Sequence, residues 1–129
     1  MEIVIDIDAE EPLFAQLMAE IKRAVSAGGI NPGDALPSIR QLANDLNLNN
    51  KTVAKAYQLL ERDKVIVTKG YRGTFVHPDA RRNMDFDLNA WVAGQINQTI
   101  NACREKGATD SEIRIAFANI MQNKPTAGE

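Results

Sequence analysis

Apolar positions along this chain follow two rhythms, one recurring every three to four residues and one of short β-branched runs. The first begins with Phe14, Leu17, Met18, Ile21 and Val25, a single stripe at helical spacing. Pro12 suits the opening turn of that helix, where its missing N–H has no partner to lose. Gly28 and Gly29 end the pattern. Upstream, the β-branched Ile3, Val4 and Ile5 predict a short strand leading into the acidic Asp6, Asp8, Glu10 and Glu11. The stretch INPGDALP, with a Pro-Gly turn and a second proline, reads as a loop.

Ser38 then stands three residues before Gln41, a capping-box pattern ahead of Ile39, Leu42, Ala43 and Leu46. A break over Asn47–Asn50 follows, and Asn49 can cap a third helix that starts near Lys51. That helix is expected to bury Val53, Ala56, Tyr57 and Leu60 and to end near Asp63. Two short helices separated by such a break form a helix-turn-helix. Val65, Ile66 and Val67 predict a strand, Lys69-Gly70-Tyr71-Arg72-Gly73 a basic turn, and Thr74, Phe75 and Val76 the returning strand. A hairpin directly after a helix-turn-helix is a wing. Residues 77–83 lack apolar periodicity and read as a linker.

Beyond them Leu88, Val92, Ile96, Ile100 and Cys103 form another stripe, with Trp91 beside it and Gly107 at its end. Thr109 and Glu112 make a second capping box before Ile113, Ala116, Phe117 and Ile120. The closing NKPTAGE reads as a frayed end. The expected fold is therefore mainly α with a small β-hairpin. It is a winged helix-turn-helix over residues 1–78, followed by a two-helix C-terminal dimerisation tail over residues 79–129. Two helices alone bury little apolar surface. The tail is expected to pair with a second chain, since a helix-turn-helix commonly reads two half-sites through a two-fold dimer.

Composition narrows the chemistry. Apolar residues make up 44% of 129, too many for a disordered chain. No apolar run approaches the length of a membrane span. The acidic N-terminus lacks the basic region of a signal peptide, so a cytoplasmic location is expected. One cysteine, Cys103, and one histidine, His77, leave no internal disulfide, no cysteine-rich metal site and no histidine pair. No nucleophile–base constellation, phosphate-binding loop or metal cluster is visible. The chain is expected not to be an enzyme and to carry no cofactor and no metal.

The net charge is only −2, but it is unevenly spread. Residues 1–35 hold two bases against seven acids, residues 36–78 seven against three, and residues 79–129 six against seven. An acidic protein with one basic segment is what a single phosphate-facing surface requires. A solvated basic face fits the charge equally well, and a winged helix can also serve as a protein-docking module. Salt-sensitive DNA binding separates these readings.

The candidate DNA contacts follow from that frame. Asn50 and Lys51 open the recognition helix, the end that enters a major groove. There an asparagine can pair with adenine and a lysine can reach guanine. Asn49 caps the helix and approaches a phosphate. Thr52 can offer its hydroxyl to a phosphate. Lys55, one turn after Lys51 on the same face, is placed for backbone. On the wing, Arg72 and Thr74 lead, with Tyr71 and Lys69 behind them. Gly70 and Gly73 provide turn geometry and close approach.

Four segments in order, PLFAQLMAEIKRAV, INPGDALPSIRQLANDL, TVAKAYQLLE and GTFV, resemble the GntR family of bacterial regulators over Pro12–Val76. The tail is too short for the ligand-binding or aminotransferase-like domains most members carry. It is similar to the short-tailed YtrA-like subfamily. The resemblance implies a homodimeric repressor on a pseudo-palindromic operator, often of ABC-transporter genes, with Arg40 on the DNA. It leaves room for a small-molecule effector of unknown identity. Two departures bear on the operator sequence. Asn49-Asn50 stand where Ser-Arg is frequent in the family, and Tyr71 occupies the first glycine position of the usual Gly-x-Gly-Thr wing.

Overall fold

Helix α1 (Leu13–Ala27) carries the stripe read from the sequence, with Pro12 at its N-cap and Gly28 closing it in the left-handed region at φ 82°. The computed structural model describes residues 1–123; residues 124–129 of the segment read as a frayed end lie outside the described residues. The chain divides into two compact units, Met1–Phe86 and a second beginning at Asp87.

In the first unit, Leu17, Ile21 and Val25 of α1 are fully buried. They meet Val53, Ala56, Tyr57 and Leu60 of α3 (Asn50–Arg62) in one core. Complete burial of a side chain of this size is worth about 1.5–3 kcal/mol. Between the two lies α2 (Ile39–Leu46), which buries Leu42 and Ala43. Ser38 Oγ accepts the Gln41 N–H at 3.1 Å, and Asn47 ends α2 in the left-handed region. Asn49 Oδ1 accepts the Lys51 N–H at 2.8 Å and starts α3.

Three strands form one antiparallel sheet in the order β1 (Ala35–Leu36), β3 (Thr74–Val76), β2 (Ile66–Thr68). The hairpin pairs Ile66 with Val76 and Thr68 with Thr74. Its third strand corrects the reading of residues 30–37 as a loop alone. Ala35 pairs with Phe75 and Leu36 with Thr74. A two-residue strand beside a proline leaves no alternation to detect.

The strand expected at Ile3–Ile5 does not form. Side chains of α1 take the backbone bonds that a sheet neighbour would have supplied. Val4 N–H donates to Glu20 Oε1 at 2.8 Å, and Asp6 N–H to Gln16 Oε1 at 2.9 Å. Gln16 Nε2 donates in turn to the carbonyls of Asp6 (3.0 Å) and Glu11 (2.8 Å). Buried Gln16 thus has a partner for each end of its carboxamide, the condition for keeping such a group inside. The Arg23 guanidinium, and then the Val4 N–H, hold the Glu20 carboxyl below the usual carboxylate range.

Residues 77–83 are likewise not a free linker. They contain α4 (Ala80–Asn83), with Ala80 fully buried. Arg81 Nε donates to the Val25 carbonyl near the end of α1 at 3.1 Å, where a cation meets the negative helix terminus. Arg81 Nη2 reaches Asn31 Oδ1 at 2.9 Å, and Asn83 Nδ2 donates to the Lys64 carbonyl at 2.8 Å.

The second unit is built from α5 (Leu88–Glu105) and α6 (Asp110–Gln122). Asp87 Oδ1 caps α5 through the Ala90 N–H at 3.1 Å. The Thr109–Glu112 capping box at the head of α6 is complete. Its backbone and hydroxyl bonds hold the Glu112 carboxyl below its ordinary range. Neither helix buries a residue.

Candidate nucleic-acid interface

The Asn49 cap sets the direction in which α3 begins, with its backbone extended at φ −69°, ψ 139°. Asn50 and Lys51 therefore stand exposed on the first turn, where free N–H groups and the helix dipole favour an anion. The Thr52 N–H is bonded to the Asn49 carbonyl at 3.0 Å, and its side chain is half-buried. Arg40 is exposed on the first turn of α2. Lys55 is also exposed, but its Nζ sits 4.0 Å over the Phe14 ring, so a cation–π contact with α1 fixes its direction.

On the wing, Gly70–Arg72 form a turn of 3-10 helix. The Lys69 N–H donates to the Gly73 carbonyl at 2.9 Å, and the Arg72 N–H to the Lys69 carbonyl at 3.1 Å. Gly70 at φ 58° and Gly73 at φ 110° occupy conformations that a side chain would strain. Tyr71 is 98% exposed at the tip. Lys69 Nζ lies 5.2 Å from the Phe75 ring, and Thr74 is half-buried in β3. The sequence-derived residues thus fall on two parts of the first unit, the α2–α3 corner and the wing.

Lys22, Arg23, Arg62, Arg82 and Arg104 each meet a carboxylate within 4.0 Å. Among the described residues, Arg40, Lys51, Lys55, Lys69 and Arg72 meet none. Lys64, Arg81, Lys106 and Arg114 also lack a carboxylate partner among the described residues, so charge pairing alone does not single out the corner and the wing. Asp63, an acid of the same segment, is held by Lys22 (3.6 Å) and Arg62 (2.8 Å). What sets Arg40, Lys51, Lys69 and Arg72 apart is their place, exposed at the starts of α2 and α3 and on the wing turn. Among the described residues, no group of three or more His, Cys, Asp or Glu side chains is placed to hold a metal ion.

Two positioning contacts escaped the sequence reading. The Tyr57 hydroxyl donates to the Pro37 carbonyl at 2.7 Å, tying α3 to the residue before the Ser38 cap. Burial pushes its pKa up to about 12. Glu61 Oε1 accepts the Thr68 N–H at 3.1 Å, joining the last turn of α3 to β2. Periodicity marks Tyr57 as core but gives no hint of its hydroxyl partner, and nothing local marks Glu61. His77 is structural: its N–H donates to the Val65 carbonyl at 2.9 Å, and its Nδ1 accepts the Asp79 N–H at 2.9 Å.

Comparison with known proteins agrees with this architecture. Residues 13–76 match the family of bacterial regulatory proteins called gntR. The chain is 35% identical over 109 residues to the HTH-type transcriptional regulator Rv1152 of Mycobacterium tuberculosis, covering 84% of each chain. It is 35% identical over 98 residues to the HTH-type transcriptional repressor YtrA of Bacillus subtilis, covering 76% of this chain and 75% of the relative. Its fold is similar to that of YtrA from Sulfolobus acidocaldarius, a GntR-family transcription factor. The TM-score there is 0.57 at 27% identity, over 94% of this chain and 97% of the other. With two relatives at this identity over most of their length, and a winged helix-turn-helix in place, the chain belongs to the gntR family of bacterial regulatory proteins.

Proposed function

We propose that this protein is a sequence-specific DNA-binding repressor that acts as a homodimer on a pseudo-palindromic operator in the cytoplasm. The observation that carries the reading is the placement of exposed Arg40, Lys51, Lys69 and Arg72 at the helix starts and wing turn of a gntR-family winged helix-turn-helix. Phosphates would complete them, releasing counterions and making affinity fall with salt. In this reading residues 1–78 form the DNA-binding domain. Asn50 and Lys51 read base edges in the major groove, while Arg40, Asn49, Thr52 and Lys55 hold the backbone. Lys69, Gly70, Tyr71, Arg72, Gly73 and Thr74 lay the wing along the adjacent strand.

Of residues 79–129, read from the sequence as the dimerisation tail, those from Asp87 onward take that role, since α4 packs in the first unit. Support comes from α5 and α6, which bury nothing yet expose Trp91, Ile96, Phe117 and Ile120. An open apolar groove of about 670 Å³ runs between them past Ile100 and Cys103. A face of this composition is stable when covered by its own copy. Two recognition helices about one DNA turn apart would then block transcription sterically. The subfamily resemblance extends the reading to transporter genes and to an effector that alters the spacing of the two winged helices. No described helix is long and apolar enough to cross a membrane.

Selection from a pool of random duplex DNA tests the reading. An inverted repeat, bound more weakly as salt rises and by Lys51→Ala, supports it. Recovery of no sequence above background refutes it in favour of a docking module.

A further inference from the structure

Glu61 stands on the last turn of α3. It is exposed, it lies in the basic segment, and among the described residues it joins no ion pair. Its side chain accepts the Thr68 N–H on Oε1, while its carbonyl accepts the Lys64 N–H at 3.0 Å. Thr68 is the last residue of β2, opposite Thr74, and the wing turn begins at the next residue. Immediately beyond it, the Lys69 N–H closes the turn on the Gly73 carbonyl. A carboxylate on the recognition helix therefore holds the strand end from which Lys69, Tyr71 and Arg72 project.

We infer that Glu61 is a positioning residue for DNA binding, setting the wing's direction relative to the recognition helix. This rests on the DNA-binding reading above. A bond from an N–H to a charged acceptor is stronger than a neutral one, so a single contact can orient the exposed tip of a hairpin whose base, Ile66 and Val76, is buried. The tip is where such a hold matters, since β2 passes from buried Ile66 to exposed Thr68. The negative charge itself works against binding. Position and charge therefore make opposite contributions to affinity, and they can be separated by substitution.

The test compares Glu61→Ala with Glu61→Gln on the selected duplex. A glutamine keeps an acceptor oxygen without the charge; alanine removes both. Wing positioning requires Glu61→Ala to bind about ten-fold more weakly, because a wing no longer held must be ordered on binding. It requires Glu61→Gln to bind as tightly as wild type or more so. The loss should be absent when Arg72→Ala is already present, because a wing without its arginine has little left to misplace. Melting temperature should be the same in all variants. Binding by Glu61→Ala at or above the wild-type level, or an alanine loss that adds fully to that of Arg72→Ala, overturns the inference while leaving the DNA-binding reading intact. Failure of the wild-type protein to bind any duplex overturns both.

Discussion

The first unit closes sixteen apolar side chains into a core, whereas α5 and α6, with the same helical stripe pattern, bury none. Leu17 and Ile21 on α1 are fully buried; Ile96 and Ile120 on the tail are 40% and 69% exposed. The sequence rhythm of the two regions is nearly the same. What differs is the supply of neighbours. In the first unit α1, α2, α3 and a sheet converge, while the second is built from two helices. An amphipathic stripe says that a face will be covered, and is silent on whether the cover comes from the same chain.

The sharpest attack on that contrast is Phe117→Asp. A charge on the open face of α6 should leave the first unit folded but turn a dimer into a monomer. It should cost operator affinity about 100-fold, the avidity gained by linking two half-site readers. Sedimentation equilibrium with a DNA titration checks both effects, and an intact dimer would erase the proposed distinction between the units. Next in size is Leu17→Ala, which should destabilise the first unit by about 2–5 kcal/mol. The loss should be the same at every protein concentration, read from urea midpoints.

Lys51→Ala sharpens the comparison from the functional side. It should weaken operator binding about ten-fold, the scale of one base contact, with unchanged melting and unchanged association. Tyr57→Phe is the mildest change, removing one hydroxyl and costing about 1 kcal/mol at neutral pH. The folded tyrosine has its pKa raised from 10.0 to about 12, so the fold favours the neutral phenol. Its contribution is complete below pH 10 and is lost as pH climbs through about 12. Wild type should lose that increment in alkaline unfolding measurements, and the phenylalanine variant should not.

Most of the first unit is legible because its signals are local. Ser38 and Asn49 are caps three residues or fewer from the amides they bond, and the buried residues of α3 lie at regular spacing. The failures share a longer range. Ile3–Ile5 has strand chemistry, but Gln16 and Glu20 on α1 claim its backbone, a relation no window of β-branched residues reveals. Residues 77–83 look unpatterned because the bond fixing them joins Arg81 to Val25, 56 positions away. The candidate site shows the same division. Its exposed cations and turn glycines can be read directly, while Phe14 beneath Lys55 and Glu61 behind Thr68 emerge only when the helices pack.

Trp91, half-exposed on α5, is the single tryptophan of the chain, and both tyrosines, Tyr57 and Tyr71, belong to the first unit. The two units are thus optically separate without any label. Indole emission follows the tail alone, responding to whatever covers α5 and staying silent to events in the core. Phenol absorbance follows the winged helix alone, with one chromophore buried beside Pro37 and one at the wing tip. Assembly of the tail and alkaline ionisation of the winged helix's phenols can therefore be followed through different chromophores of the same protein.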